Sequence, residues 1–187
     1  MKPSDFRTPL RFVSAGASAA TLVGKLTKRR TLQRVSKMLI VPPLIDYRDP
    51  LMVVGGIGHA MGDLVLLRAN RKLSHGAAWF ALGHVAMTLR QLRRGARPQC
   101  PWLYAGAWLA AIPIIRDPKL IAYGAVLATY ASVSHSWGGP LFIVSDALIL
   151  ANKRLDHPLL DAAVTATYGS AQLLLFAADD LANRQVN

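Results

Sequence analysis

Charged residues are scarce in this 187-residue chain. They make up 17% of it, against about 25% in a typical soluble domain. Acids are the scarcer sign: 10 Asp and Glu face 22 Lys and Arg, for a net charge of +12. Cysteine is nearly absent. The single Cys100 excludes an intramolecular disulfide framework and a multi-cysteine zinc site. The chain also lacks metal-ligand spacing and a nucleotide-binding loop, so it implies no metal and no cofactor. There is no low-complexity tract, no strong internal repeat, and no stretch long enough for a separate soluble domain. One domain over residues 1–187 is the default at this length.

What is present is apolar. Hydrophobic residues make up 52% of the chain and the mean hydropathy is +0.29, too high for disorder. Basic residues gather in short clusters, at Lys25 to Lys37, Arg68 to Lys72, Arg90 to Arg97, Arg116 to Lys119 and Lys153 to Arg154. Apolar stretches of roughly 14 to 19 residues run between them. That is near or just under the ~20 residues that cross a hydrocarbon core of about 30 Å. A soluble helix shows a charged outer face at a period of 3.6. Trp102 to Ile115 and Ile121 to Ser136 carry no formal charge on any face. The pattern predicts an all-α fold, a polytopic membrane helix bundle of about eight transmembrane helices. The expected location is a bacterial-type plasma membrane, as a multi-pass integral protein. The alternative is a soluble all-helical domain with short buried helices.

The eight segments run roughly over 10–25, 37–47, 51–67, 76–91, 102–115, 119–136, 138–152 and 159–178. Breakers mark the connections: Asp49-Pro50, Arg97-Pro98, Pro101, Asp117-Pro118, Gly138-Gly139-Pro140 and His157-Pro158. Lys2, Arg7 and Arg11 precede a run rich in small residues, which reads as a first membrane helix or a cleaved signal peptide. With eight spans, one set of loops holds about 13 Lys and Arg and the other about 9. That excess places the richer set in the cytoplasm and both termini outside.

Polar residues within apolar segments are where function is sought. An Asp at the centre of a membrane helix costs roughly 2.5–3.5 kcal/mol on insertion scales. Asp63 and Asp146 stand in such segments, and neither has a Lys or Arg at i±3 or i±4. Each either faces a bundle interior, glues helices by hydrogen bonding, or reaches water at a helix end. His59 lies four residues before Asp63, on the same face. Gly58 and Gly62 form a small-xxx-small pair that permits close helix approach. His84 shares a face with Gly76 and Phe80. Tyr123, Tyr130 and Ser134 line one side of the sixth segment. Asp161, Thr165, Tyr168 and Gln172 form a stripe on the eighth. A lone His or Tyr in such a place is commonly a packing residue; several stripes converging on one interior are not. Lys37 opens the second segment, either snorkelling to headgroups or contacting a phosphate.

These residues carry a resemblance. The order is Lys37-Met38-Leu39-Ile40-Val41-Pro42, Gly62-Asp63, Gly76-x3-Phe80-x3-His84, Leu141-Phe142-x2-Ser145-Asp146-x2-Ile149 and Tyr168-x2-Ala171-Gln172. It resembles the YhhN family of lysoplasmalogenase-like membrane proteins over roughly 35–175. The resemblance implies eight membrane helices and hydrolysis of the vinyl ether bond of lysoplasmalogens. It implies Asp63 and Asp146 as the paired catalytic aspartates, with Lys37, His84, Tyr168 and Gln172 at matching positions. Met38 stands where family members often carry Pro, and Met87 where they often carry an aromatic.

A vinyl ether breaks when its β-carbon is protonated to an oxocarbenium ion, which water captures as a hemiacetal. Collapse releases a fatty aldehyde and the glycerophospho-headgroup. The reaction needs a proton donor, a base that orients water, and negative charge near the cation. Two carboxylates in a low-dielectric site suit it, because burial and like-charge repulsion keep one protonated and one ionised. Asp63 and Asp146 are the expected catalytic pair, with His84, Tyr168, Gln172, His59 and Tyr123 around the substrate and Lys37 at its phosphate. The expected partners are a lipid substrate and the membrane, not nucleic acid, because anionic headgroups account for basic loops at about 1 kcal/mol per residue. A second reading makes the chain a non-enzymatic carrier or lipid-binding protein with a proton-linked polar interior.

Overall fold

Proline sets where half of the helices begin, and at two of them an aspartate caps the start. In a computed structural model, residues 7–68 and 72–185 are described, with side chains over 8–68 and 72–176. Lys2 and residues 69–71 of the basic cluster before the fourth segment lie outside the described residues. Among those described there are eight α-helices, one short 3-10 turn and no strand. The helices are α1 (Arg7–Leu26), α2 (Arg30–Met38), α3 (Pro50–Leu66), α4 (Leu73–Arg93), α5 (Pro101–Ile115), α6 (Pro118–Val133), α7 (Gly138–Leu155) and α8 (Pro158–Gln185). Pro opens α3, α5, α6 and α8, where its missing N–H would be unpaired in any case. Asp49 accepts from the amides of Leu51 at 3.1 Å and Met52 at 3.2 Å, and Asp117 accepts from Lys119 at 2.9 Å. These are ordinary N-caps.

One expected element is corrected. Residues 37–47 do not form a helix of their own. Helix α2 ends at Met38, and a 3-10 turn follows at Pro42–Leu44. Pro42 and Pro43 bring no amide hydrogen to an α-helical ladder, so α2 cannot continue through them. The basic stretch before it, expected to be a connection, is largely helical instead.

The chain forms two compact units. Met1–Ile45 and Ser136–Asn187 make the first; Asp46–His135 make the second. In the first, α2 turns back along α1. Thr21 Oγ1 lies 2.9 Å from Ser36 Oγ, and Ser14 Oγ donates to the Ile40 carbonyl at 2.6 Å. A Cβ added at Gly24 would stand 2.7 Å from the Gln33 nitrogen, so only glycine admits this hairpin. Helix α8 runs antiparallel to α1 and to α7. Lys25 Nζ meets Asp161 Oδ1 at 2.6 Å and donates to Thr165 Oγ1 at 3.1 Å. Ser145 Oγ donates to the Val164 carbonyl at 3.3 Å, and Phe142 meets Tyr168 edge-on at 5.6 Å.

In the second unit, α3 and α4 are antiparallel and nearly touch. A Cβ at Gly58 would sit 2.7 Å from the Gly83 nitrogen and 2.8 Å from the Trp79 carbonyl oxygen, and one at Gly83 would collide with the His59 ring. Helix α6 packs on α4, and α5 packs on α6, with Trp108 Nε1 donating to the Ile121 carbonyl at 2.9 Å. Nothing on α5 is buried. Its Trp102 and Leu103 are 75% and 61% exposed.

Among the described residues, one helical stretch, Pro158–Phe176, is long and apolar enough to cross a membrane by itself. Pro50–Leu66 and Pro101–Ile115 are apolar but shorter.

The glycine contacts give a first test. Gly58→Ala should destabilise the protein by about 1–3 kcal/mol through overpacking. Gly106→Ala in α5, where an added Cβ meets nothing within 4 Å, should be neutral or stabilising by about 0.5–1 kcal/mol. Thermal unfolding of both variants checks the contrast; equal effects would refute the close α3–α4 contact.

Candidate functional site

Each unit buries a polar centre. In the second unit it lies where α3, α4 and α6 meet. Gly58 and Gly83 remove the side chains that would separate α3 from α4, so the residues that follow them, His59 and His84, come together. Their rings cross edge-on with centroids 4.7 Å apart. Phe80 meets His59 edge-on at 5.5 Å, and Tyr130 stacks on His84 at 5.0 Å. Tyr123 is the more distant ring, 6.1 Å from His84. His59, His84 and Tyr130 are fully buried. Asp63 stands one turn beyond His59 and is 1% exposed. It belongs to the last turn of α3, so a helix end could have offered it water; its burial removes that explanation. Gly62 lets the Phe80 ring lie against α3, since a Cβ there would be 2.7 Å from Phe80 Cε2.

In the first unit, the centre gathers around Tyr168 on α8. Lys37 Nζ lies 4.9 Å from the centroid of its ring, within cation–π range. Lys37 sits one residue before the end of α2, beside the break. The irregular backbone after it is covered, with Ile40 and Val41 each 1% exposed. Gln172, one turn beyond Tyr168, and Ser145 on α7 are fully buried. Asp146 follows Ser145 and is half-buried.

The expected site residues therefore divide. His59, Asp63, His84 and Tyr123 belong to the second unit; Lys37, Asp146, Tyr168 and Gln172 belong to the first. The α8 stripe divides as well. Asp161 and Thr165 hold Lys25, while Tyr168 meets Lys37. The Lys25–Asp161 pair has no signal in the sequence, because 136 positions separate its members. Tyr130 is the aromatic in closest contact with the histidine pair, and its spacing from Tyr123 marked only the face. Among the described residues, no group of three or more His, Cys, Asp or Glu is placed to hold a metal ion.

A third charged cluster ties the start of α3 to the end of α4. Asp49 Oδ2 takes the Arg90 Nε–H at 2.5 Å and lies 3.6 Å from Arg94 Nη2. Arg90 is 3% exposed. Burial alone would raise the Asp49 carboxyl. The hydrogen bonds from Arg90 and the Met52 amide, with the charges of Arg90 and Arg94, outweigh it and hold the group below its ordinary value of 3.8.

The centres define the class: an all-α protein whose helices enclose histidine, tyrosine, aspartate and lysine side chains among apolar residues. The YhhN family model matches residues 37–178, from Lys37 to past Gln172. The chain belongs to the YhhN family. No curated protein and no solved structure matches it.

The depressed Asp49 carboxyl has a pH consequence. A group whose folded pKa lies below its unfolded value stabilises above the unfolded value and loses that effect as pH falls through the folded one. The stability difference between wild type and Asp49→Asn should be constant from about pH 7 to 5 and shrink below about pH 4. Thermal unfolding of both proteins across that range checks it; a constant difference down to pH 3 would contradict it.

Proposed function

We propose that the chain is a multi-pass membrane hydrolase that cleaves the vinyl ether bond of lysoplasmalogen-type lysophospholipids, or of a related ether lipid. The observation that carries this reading is Asp63. The C-terminal turn of a helix disfavours an anion by about 0.3–1 kcal/mol, and burial disfavours it further. A chain with ten acids in all keeps one there, one turn from His59 in a buried cluster. Membership of the YhhN family supports the same reaction class.

The membrane reading has two supports. Helix α5 is uncharged and exposes large apolar side chains along its length, which lipid tolerates and water does not. The second crossing, on this reading, is a broken one over residues 37–47, made of the end of α2, the break after it and the Pro42–Leu44 turn. Non-helical backbone at membrane depth survives where protein covers it, and Ile40, Val41 and Leu44 are buried. Broken helices in membrane proteins place polar groups at the binding site, which is where Lys37 falls. Eight crossings in all follow.

In the proposed reaction, one aspartic acid donates a proton to the vinyl β-carbon. The other, ionised, stabilises the oxocarbenium ion and takes a proton from the attacking water. The hemiacetal breaks its bond to the glycerol oxygen, which leaves protonated as the alcohol. The sum is one water consumed, one aldehyde and one glycerophospho-headgroup released. Asp63 and Asp146 are the proposed pair. His84, with His59, Tyr123, Tyr168 and Gln172, orients water and glycerol, and Lys37 meets the phosphate. The contiguous buried His59, His84 and Tyr130 rings favour one alternative, a proton-linked carrier with no chemical product.

Membranes containing wild type, Asp63→Asn or Asp146→Asn should be given a lysoplasmenyl lipid, and aldehyde release measured. Each variant is expected to lose at least about 100-fold in rate with its melting temperature retained. Undiminished release in either variant overturns the mechanism, and no release from wild type moves the weight to the carrier.

A further inference from the structure

Helix α2 breaks the local rules for a helix. It has nine residues, a length that is marginal without packing, and only Ser36 in it is buried. Its N-cap, Arg29, makes no side-chain capping hydrogen bond, and its first turn holds no acid. Lys28, Arg29 and Arg30 stand at that end, where the exposed amides and the helix dipole favour an anion. Arg34 follows Arg30 by one turn, a like-charge pair that repels. No acid occurs between Asp5 and Asp46 to relieve the charge locally. Lys25, the nearby cation on α1, is held by Asp161. Lys28, Arg29, Arg30 and Arg34 are all exposed, and among the described residues none of the four meets a carboxylate.

The opposite flank is apolar. Leu32 and Val35 lie about 150° round the helix from Arg30 and Arg34. Both are exposed, as is Leu39 at the helix end, and on α1 so are Val23 and Leu26 beside the bend. Cations on one flank and bare aliphatic side chains on the other suit a helix held at a bilayer surface. A nucleic acid would satisfy the cations and leave Leu32, Val35 and Leu39 in water. An anionic bilayer satisfies both flanks, with phosphates at the guanidiniums and the N-terminal amides and acyl chains at the aliphatic side.

We propose that the α1–α2 hairpin is a docking surface for anionic lipid headgroups, with Lys28, Arg29, Arg30 and Arg34 in the headgroup layer and Leu32, Val35 and Leu39 against the acyl chains. The proposal rests on the membrane reading, in which residues 28–36 precede the crossing over 37–47 and so lie at the surface. It does not use the hydrolytic chemistry. Anionic lipid then stabilises α2, because it supplies the negative charge that the N-terminus of the helix lacks.

Full-length protein is reconstituted in phosphatidylcholine vesicles, with and without about 30% phosphatidylglycerol, at one ionic strength. Amide hydrogen exchange over residues 29–36 is the readout. In wild type, exchange should slow at least about ten-fold when phosphatidylglycerol is present. In Arg30→Gln/Arg34→Gln the slowing should fall to about two-fold or less. The control Lys153→Gln/Arg154→Gln, which removes the same charge from the last turn of α7, should keep the full effect. Equal exchange in the two kinds of vesicle, undiminished slowing in the Arg30/Arg34 variant, or an equal loss in the control overturns the docking surface. So does a short RNA that slows exchange in phosphatidylcholine vesicles as much as phosphatidylglycerol does. Alkaline carbonate extraction of the same vesicles tests the membrane reading. Release of the protein overturns that reading and the placement of the hairpin with it; retention with lipid-independent exchange overturns the hairpin alone.

Discussion

The contact of bare backbone between Gly58 on α3 and Gly83 on α4 is the constraint on which the second unit depends. With no Cβ at either position, the two helices close to a separation that larger residues forbid. Each glycine is followed by a histidine, so the same approach that packs the helices sets His59 against His84. Phe80 closes over Gly62, and Asp63, the next residue, is buried. The polar centre is thus a by-product of a small-residue seam, and its geometry follows backbone contact more than side-chain attraction.

The scarcity of acids makes the place of six of the described aspartates informative. Asp49 and Asp117 cap helices, and Asp46 accepts from the Arg48 amide at 3.1 Å. Asp161 holds Lys25 across the α1–α8 contact. These four sit at helix ends or turns, where backbone amides or lysine compensate the charge. Asp63 and Asp146 are different, since both stand inside helical segments among apolar neighbours. Placing a carboxyl among apolar side chains costs desolvation. That contrast is why chemistry is sought at these two and not at the others.

The first unit solves a different problem. Its second segment is too interrupted by proline to be one helix, so α2 folds back on α1 through hydroxyl contacts and a glycine turn. The break leaves Lys37 beside Tyr168, where its ammonium lies over the ring face. The Lys25–Asp161 clasp near the other end of α8 fixes that helix against α1.

Much of the fold was legible in the sequence. Apolar stretches between basic clusters marked seven of the eight helices, and Pro marked the starts of four of them, two with an Asp cap, because propensity and capping are local. The pairing of Gly58 with Gly62, and the shared face of His59 and Asp63, follow from the helical period alone. The helix at Arg30–Met38 was missed because its residues are polar and basic, and its existence depends on packing against α1. Contacts between distant positions were likewise unreadable: His59 with His84, Tyr130 over His84, Lys25 with Asp161, Asp49 with Arg90. A one-dimensional pattern states which face a residue occupies. Which other face it meets is decided only when helices pack, since that depends on how closely their backbones can approach.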